Sequence, residues 1–257
     1  MSEQEHAIEI KEVNPERIMS FLKPKMGARF KTWLNICAHC GLCADTCHHY
    51  IASGKDPKMI PSHKIRFLKE ILKKKGKVDK EYLQTVYNTI YYECNMCRRC
   101  TLYCPFGIDI ALMIALLRSL LTSQGIVPEG LLKTVENYEN FGNQMAVTKE
   151  DWVDTLEWCE EETAEELAGL EIPIDKKGAR IMYTVNAREP MFYPQDIMEV
   201  AKIFHVAGED WTLPSETGWD DTNLAMFCGD AQTARMIVEN TFKRAEELEV
   251  EKVAVTE

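Results

Sequence analysis

Two short cysteine runs with the same spacing constrain the fold of this 257-residue chain more than any other feature. The first reads CAHCGLCADTC and the second CNMCRRCTLYC, so each follows C-x2-C-x2-C-x3-C. Their cysteines are Cys37, Cys40, Cys43 and Cys47, then Cys94, Cys97, Cys100 and Cys104. The other two cysteines of the chain are Cys159 and Cys228. Thiols this closely spaced indicate either disulfide bonds or metal ligation.

Composition and the N-terminal sequence argue against a secreted disulfide scaffold. The stretch MSEQEHAIEIKEVNPERIMSFLK lacks the apolar core and cleavage site of a signal peptide, and such scaffolds are typical of short secreted chains. No apolar run approaches the roughly 20 residues that a membrane span needs. The net charge of −11 argues against a nucleic-acid partner, because phosphate binding needs a basic face. Metal or cluster ligation is therefore the first interpretation.

The spacing within each run is typical of 4Fe–4S ligation. Three thiolates three residues apart can wrap one face of a cubane cluster, and in two-cluster ferredoxins the fourth cysteine binds the other cluster. The second run ends in Cys104-Pro105, as that pattern expects. We therefore predict two 4Fe–4S clusters. The predicted ligands are Cys37, Cys40, Cys43 and Cys104 for one, and Cys94, Cys97, Cys100 and Cys47 for the other.

Zinc and disulfide bonds are the alternatives to this interpretation. Structural zinc generally uses two separated C-x2-C pairs or cysteine with histidine, and His39 lies inside the first run. That run also has His48 where proline commonly follows the fourth cysteine. Proline is not a ligand, so ligation by Cys47 is expected to survive while the local hydrogen bonding changes. His48 and His49 could be recruited as zinc ligands or act as proton-coupled neighbours of a cluster, and we expect them to be solvated surface residues.

The chain as a whole is predicted to contain two domains of different class. Residues 1–35 form a polar lead-in, and residues 36–145 form an all-helical ferredoxin domain, because the segments SHKIRFLKEILKKK and DKEYLQTVYNTIYYE have helical periodicity. Residues 146–178 are predicted to be an acidic linker helix. Residues 179–257 are predicted to be a small α/β domain with a mostly parallel sheet, with strands at ARIMYTV, EDWTL, NLAMFCG and EKVAVTE. No G-x-G-x-x-G or P-loop points to a nucleotide.

Charge and the two remaining cysteines give weaker signals. From Lys55 to Lys80 there are ten Lys or Arg against three Asp or Glu, about +7. This stretch is either a solvated helix face or a docking surface for an acidic redox partner or anionic lipid headgroups. Cys159 is expected to be a half-buried helix residue. Cys228 is expected at the end of a strand, as a packing residue.

The chain resembles the iron–sulfur subunits related to heterodisulfide reductase. The resemblance rests on CNMCRRCTLYCPFGIDIALMI, PQDIMEVAKIFHVAGEDWTLPS and GWDDTNLAMFCGD, and it covers nearly everything after Ile36. In particular, these segments resemble cytoplasmic subunits of cytochrome-linked membrane redox complexes in sulfate-reducing bacteria. The resemblance implies an electron-transfer subunit in sulfate respiration, bound at the inner face of the membrane. It would relay single electrons between a quinone or cytochrome subunit and a soluble acceptor.

The resemblance also implies a longer chain, because such relatives carry a cysteine-rich domain with C-C-G motifs after the two-cluster domain. Residues 179–257 are then expected to be the first part of that domain, and this chain the front part of a disulfide-reductase-like catalyst. A gene prediction halted at a UGA codon for selenocysteine after Glu257 is a related hypothesis. A third reading is the iron–sulfur subunit of a quinone-linked glycerol-phosphate, glycolate or lactate dehydrogenase, in which two-cluster domains recur.

Overall fold

The computed structural model describes residues 7–256, and over these residues the chain is mostly helical with one small sheet. The start of the predicted lead-in, residues 1–6, and Glu257 lie outside the described residues. No helix in the described range is long and apolar enough to span a bilayer. The strands are β1 (Ile181–Tyr183), β2 (Trp211–Thr212) and β3 (Lys252–Ala254), and two short 3₁₀ helices lie at Lys23–Lys25 and Pro57–Met59. The helices are α1 (Pro15–Leu22), α2 (Ala28–Ile36), α3 (Leu42–Asp45), α4 (His48–Ala52), α5 (Pro61–Lys64), α6 (Arg66–Lys73), α7 (Lys80–Tyr91), α8 (Arg99–Leu102), α9 (Ile110–Ser123), α10 (Glu129–Phe141), α11 (Lys149–Glu166), α12 (Glu189–Phe192), α13 (Pro194–Ala207), α14 (Leu224–Cys228) and α15 (Ala231–Glu247).

The described chain divides into two compact units. The first runs up to Glu129 and includes the short segment Met226–Asp230. The second contains Gly130–Ala225 and the chain from Ala231 onward. The first is all helical and the second contains the sheet, which agrees with the predicted order of a helical region followed by an α/β region. The finer limits of the four predicted segments stay predictions.

The core of the first unit is built mainly by α6, α7 and α9. Helix α9 carries a nearly continuous apolar stretch, IALMIALLRSLL, and a helix that is apolar on most faces must be buried. Asp109 caps its first turn by accepting a hydrogen bond from the Leu112 N–H at 3.0 Å. Fully buried core residues are Leu68, Ile71, Leu83, Val86, Ile90, Met113, Ile114, Leu117, Leu120 and Leu121. Cysteines of both runs pack against this core.

The second unit is organised around a three-stranded parallel sheet in the order β2-β1-β3. Ile181 of β1 pairs with Trp211 on one side and with Lys252 on the other. The strands predicted at ARIMYTV, EDWTL and EKVAVTE are therefore confirmed, and so is the parallel arrangement. Below the sheet the rings of Trp152 and Trp219 stack with centroids 4.4 Å apart.

Helix α11, the acidic segment for which the sequence indicates a linker, packs into the core of the second unit. Its buried residues include Trp152, Leu156 and Cys159, while its acidic residues lie mostly on the opposite, exposed face. The Trp152 Nε1–H donates to the Pro214 carbonyl at 2.9 Å. Cys159 is completely buried, so the expectation of a half-buried residue is wrong. Its position follows from the same helical face that buries Trp152 and Leu156.

The strand predicted at NLAMFCG is wrong, because Leu224–Cys228 forms helix α14. A short apolar run cannot be assigned to strand or helix by periodicity alone. Within the first unit, the Cys228 carbonyl accepts hydrogen bonds from the Tyr91 hydroxyl at 2.8 Å and the Thr122 hydroxyl at 2.6 Å. The Cys228 side chain is buried, as expected for a packing residue.

Candidate metal centre

The eight cysteines of the two runs surround two separate cavities in the first unit. Cavity A, with an empty volume of about 370 Å³, is lined by Cys37, Cys40, Cys43 and Cys104. Cavity B, with about 420 Å³, is lined by Cys47, Cys94, Cys97 and Cys100. Each cavity thus collects three cysteines from one run and the fourth cysteine of the other run. These are the two predicted ligand sets, and the similar volumes suit two groups of the same kind.

The backbone of the two runs turns in the same way at equivalent positions. His39 and Met96, each one residue before the second cysteine of its run, both have φ of 55°. Gly41 and Arg98, each one residue after that cysteine, have φ of 86° and 63°. A non-glycine residue in this left-handed region costs about 1–2 kcal/mol. Such alternation of right- and left-handed residues turns backbone N–H groups into a concavity that binds anions, including iron–sulfur clusters.

The second run is fixed to the start of helix α9 by Asp109. The Arg98 guanidinium donates to Asp109 Oδ2 at 2.7 Å, and the Thr101 hydroxyl donates to Oδ1 at 3.1 Å. The same carboxylate caps α9, so one side chain joins the run to a helix of the core. The left-handed conformation of Arg98 is therefore held by its own side chain.

The short helix α5 lies between the two cavities and presents different groups to each. Ser62 and Ile65 line cavity A, whereas Pro61 and Lys64 line cavity B. Lys64 is only 2% exposed, and its Nζ donates to the Glu93 carbonyl beside the second run. Charge alone does not distinguish Lys64, because the other nine basic residues between Lys55 and Lys80 are exposed. Its helical face, shared with buried Pro61 and Leu68, is the signal that could have found it.

The two histidines after Cys47 line cavity B, which corrects the expectation that they are solvated surface residues. Their side chains are half-buried because α4 packs them toward the cavity, with ring centroids 4.4 Å apart. Burial, and next to it the charge of Lys64, lowers the pKa of His49 to about 4, so the imidazole is neutral near pH 7. Its Nε2 is buried and has no hydrogen-bond partner in the described protein. An unpartnered polar atom on a residue that lines a cysteine-lined cavity fits a site that holds a hydrogen-bond acceptor such as sulfide.

Burial of the innermost thiols determines which groups could stabilise their thiolates. Burial raises the pKa of Cys100 to about 12, and the charges of Cys94 and Cys43 add to the effect. Burial also raises the pKa of Cys43, against hydrogen bonds from the Ser62 backbone and hydroxyl. Thiolates at these positions therefore need a bound cation, and metal binding releases their protons. Cys40 and Cys97, the second cysteines of the runs, are exposed.

These side chains are not arranged around a position for a single metal ion. Over residues 7–256, no three His, Cys, Asp or Glu side chains are grouped as ligands of one ion. The cysteines instead line two cavities, four to each. The donor type, the left-handed turns and the unpartnered Nε2 of His49 all suit an iron–sulfur cluster.

Comparisons with known proteins agree with this chemistry. Residues 33–108, which include all eight cysteines of the runs, match the family described as 4Fe-4S dicluster domain. The "Hdr-like menaquinol oxidoreductase iron-sulfur subunit 2" of Archaeoglobus fulgidus is 30% identical over 175 residues. The "Hdr-like menaquinol oxidoreductase iron-sulfur subunit" of Archaeoglobus profundus is 27% identical over 175 residues. Each alignment covers 62% of this chain and 31% of the relative. No solved structure gives a significant match.

The resemblance to heterodisulfide-reductase-related iron–sulfur subunits is therefore confirmed, and the cysteine region is a 4Fe–4S domain. Because the chain spans less than a third of the length of the curated relatives it matches, their whole activity does not transfer with the similarity.

Proposed function

We propose that this chain is the electron-transfer subunit of a membrane-associated redox complex and holds two 4Fe–4S clusters. Cavity A would hold one through Cys37, Cys40, Cys43 and Cys104, and cavity B the other through Cys94, Cys97, Cys100 and Cys47. The observation that carries the proposal is the crossed lining of the two cavities, three cysteines from one run with the fourth from the other. When bound, such clusters accept and release single electrons.

The chain itself would shield the clusters from water and would leave two points at which electrons can enter or leave. The third cysteines, Cys43 and Cys100, are the buried or half-buried ones nearest the core, and the charge of Cys43 contributes to the raised pKa of Cys100. The second cysteines, Cys40 and Cys97, face solvent. Electrons would enter or leave at these exposed cysteines and cross between the cavities on the side of Cys43 and Cys100.

The partners proposed from the resemblance are a quinone-reactive or cytochrome subunit and a soluble donor or acceptor in the cytoplasm. The names of the relatives, menaquinol oxidoreductase subunits, support a quinol as the reductant on the membrane side. The chain would sit peripherally on the inner face of the membrane. Nine of the ten basic residues between Lys55 and Lys80 are exposed, which supports this stretch as the docking surface.

The alternative is that the chain is the front part of a disulfide-reductase-like catalyst. The observation that favours this alternative is the 31% coverage of the curated relatives, which are much longer. Both proposals share the two-cluster region and differ in whether substrate chemistry takes place in the same polypeptide. The intact mass of the polypeptide from its native cells separates them.

The ligand assignment is tested with matched cysteine variants purified without oxygen. The parent protein should contain about eight iron and eight sulfide per chain. Cys97→Ala should lose about half of the iron and one of two paramagnetic signals after reduction with dithionite. Cys159→Ala, a buried cysteine far in sequence from both runs, should keep all the iron. Bound zinc with no visible absorption, or full iron in Cys97→Ala, would contradict the proposal.

A further inference from the structure

Cavity B contains a buried positive charge for which the described chain supplies no acidic partner. Lys64 is almost fully buried, and its ammonium donates to a backbone carbonyl, that of Glu93. No Asp or Glu in residues 7–256 forms an ion pair with it. The free energy lost when an ammonium group is removed from water is much larger than the free energy gained from one hydrogen bond to a carbonyl. A group held in cavity B can supply the compensating negative charge, since a cluster bound by four thiolates is anionic in both oxidation states.

A second buried cation lies beside the same cavity. Arg118 of α9 is 2% exposed, and it donates from Nη2 to the Cys94 carbonyl at 2.5 Å and to the Ile90 carbonyl at 2.8 Å. Its Nη1 donates to the Phe227 carbonyl at 2.9 Å, within the same unit. These hydrogen-bond partners are all carbonyls, and the guanidinium also lies over the rings of Tyr91 and Phe227, 5.0 and 5.9 Å from their centroids, so neutral groups surround its charge.

Cavity A is surrounded differently. In the described lining of cavity A there is no Lys or Arg, and α5 offers it Ser62, a neutral donor to the Cys43 sulfur. Arg66 and Lys69 lie near its mouth, but both are exposed. Water and salt screen exposed charges strongly, whereas buried charges act through a medium of much lower dielectric constant. The residues after the fourth cysteines also differ, with Pro105 and Phe106 on cavity A and His48 and His49 on cavity B.

We propose that Lys64 and Arg118 give the cluster of cavity B a higher reduction potential than the cluster of cavity A. Adding one electron makes a cluster more negative, so a nearby buried cation stabilises the reduced form. Electrons would then pass downhill from the Cys40 side to the Cys97 side. This inference rests on the proposed function, since it requires a cluster in each cavity.

The test is a redox titration of the full-length protein with dithionite and mediator dyes, followed by electron paramagnetic resonance. Cys40→Ala and Cys97→Ala each remove one signal, which assigns the two signals to cavities A and B. In the parent, the signal that Cys97→Ala removes should develop first as the potential is lowered. If the signal that Cys40→Ala removes develops first, or both develop together, the inference is wrong.

Lys64→Met then tests the residue itself, because methionine has a similar length and no charge. At a fixed applied potential, the reduced-to-oxidised ratio of the cavity B cluster should fall at least tenfold, which corresponds to about 59 mV for one electron. The cavity A cluster should change much less. Lys64→Arg, which keeps the charge, should preserve the order, and Lys69→Met should leave both potentials unchanged. An equal shift in Lys64→Met and Lys69→Met would overturn the role of Lys64.

Failure of this inference can be distinguished from failure of the proposed function. If the parent shows no cluster signals, or only one, the two-cluster assignment itself fails. If it shows two signals whose order does not depend on Lys64, the clusters exist and the electrostatic bias does not.

Discussion

The two compact units differ in what completes their interiors. The second unit closes its core with its own side chains, above all the stacked rings of Trp152 and Trp219. The first unit has a dense helical core, and beside it the eight cysteines of the two runs line two cavities. The comparison indicates that the first unit is arranged to hold a bound group between its cysteines, whereas the core of the second unit is completed by its own aromatic and aliphatic side chains.

Removal of iron should produce the largest difference in stability between the two units. His39 and Met96, two non-glycine residues in left-handed conformation beside the cavities, together cost about 2–4 kcal/mol that a bound cluster is expected to offset. That is a large part of the roughly 5–15 kcal/mol by which a domain is stable. Hydrogen exchange, measured on the iron-loaded protein and after chelation of its iron, should show loss of amide protection in α7 and α9. Protection in α11 and α13 should be retained.

The control for this prediction lies within the same molecule, since both units are measured in one sample. Simultaneous loss of protection in α9 and α13 would mean that the units unfold together. Unchanged protection in α9 would mean that the cavities do not need their occupant.

Trp152→Ala should have the opposite effect, because it should lower the free energy of unfolding of the second unit and leave the first unit intact. Trp152 is fully buried, stacks on Trp219 and donates to the Pro214 carbonyl, so its truncation should cost about 3–5 kcal/mol. The visible absorption of the clusters should remain. The matched variant in the first unit is Leu117→Ala, a fully buried residue of α9 for which cluster absorption should decrease. Urea unfolding followed by tryptophan fluorescence and by visible absorption distinguishes the two, and loss of clusters in Trp152→Ala would contradict the comparison.

How far the sequence predicts the structure also differs between the units. Cysteine spacing is a local pattern with few chemical interpretations, so Cys37 to Cys104 could be assigned to two groups before any fold was known. The alternating pattern of ARIMYTV and EKVAVTE was enough for two of the strands. NLAMFCG was too short for a secure assignment, and it forms a helix.

What the sequence could not predict are the residues whose role depends on tertiary burial. Lys64 belongs to a run of exposed basic residues and differs from them only because its side chain points into the first unit. His49 was expected in solvent for the same reason, since composition does not reveal which face of a short helix is covered. Cys159 was expected to be half-buried because its neighbours are acidic, yet a helix can bury one face completely while the other carries the charge.

A smaller effect, confined to the second unit, is expected from pH. Asp220 is fully buried and accepts hydrogen bonds from the backbone N–H of Gln144 at 2.8 Å and of Thr222 at 3.0 Å. Burial raises its pKa to about 6 even though these hydrogen bonds lower it. Its pKa in the folded chain is therefore above the ordinary value of 3.8, and the folded state holds the proton more tightly. Stability from this group is present at low pH and is lost as the pH rises through about 6.

Lowering the pH from 7.5 to 5.5 should thus stabilise the second unit by about 1 kcal/mol through Asp220. Asp220→Asn should remove this contribution, because asparagine does not titrate. Four of the five tryptophans lie in the second unit, at Trp152, Trp158, Trp211 and Trp219, so the urea midpoint of fluorescence reports on it. Burial also raises the pKa of Glu189 in the same unit, and the difference between parent and variant isolates Asp220 from it. Parallel pH dependence in the two proteins would show that Asp220 is ionised in the folded state throughout this range, and that its hydrogen bonds outweigh its burial.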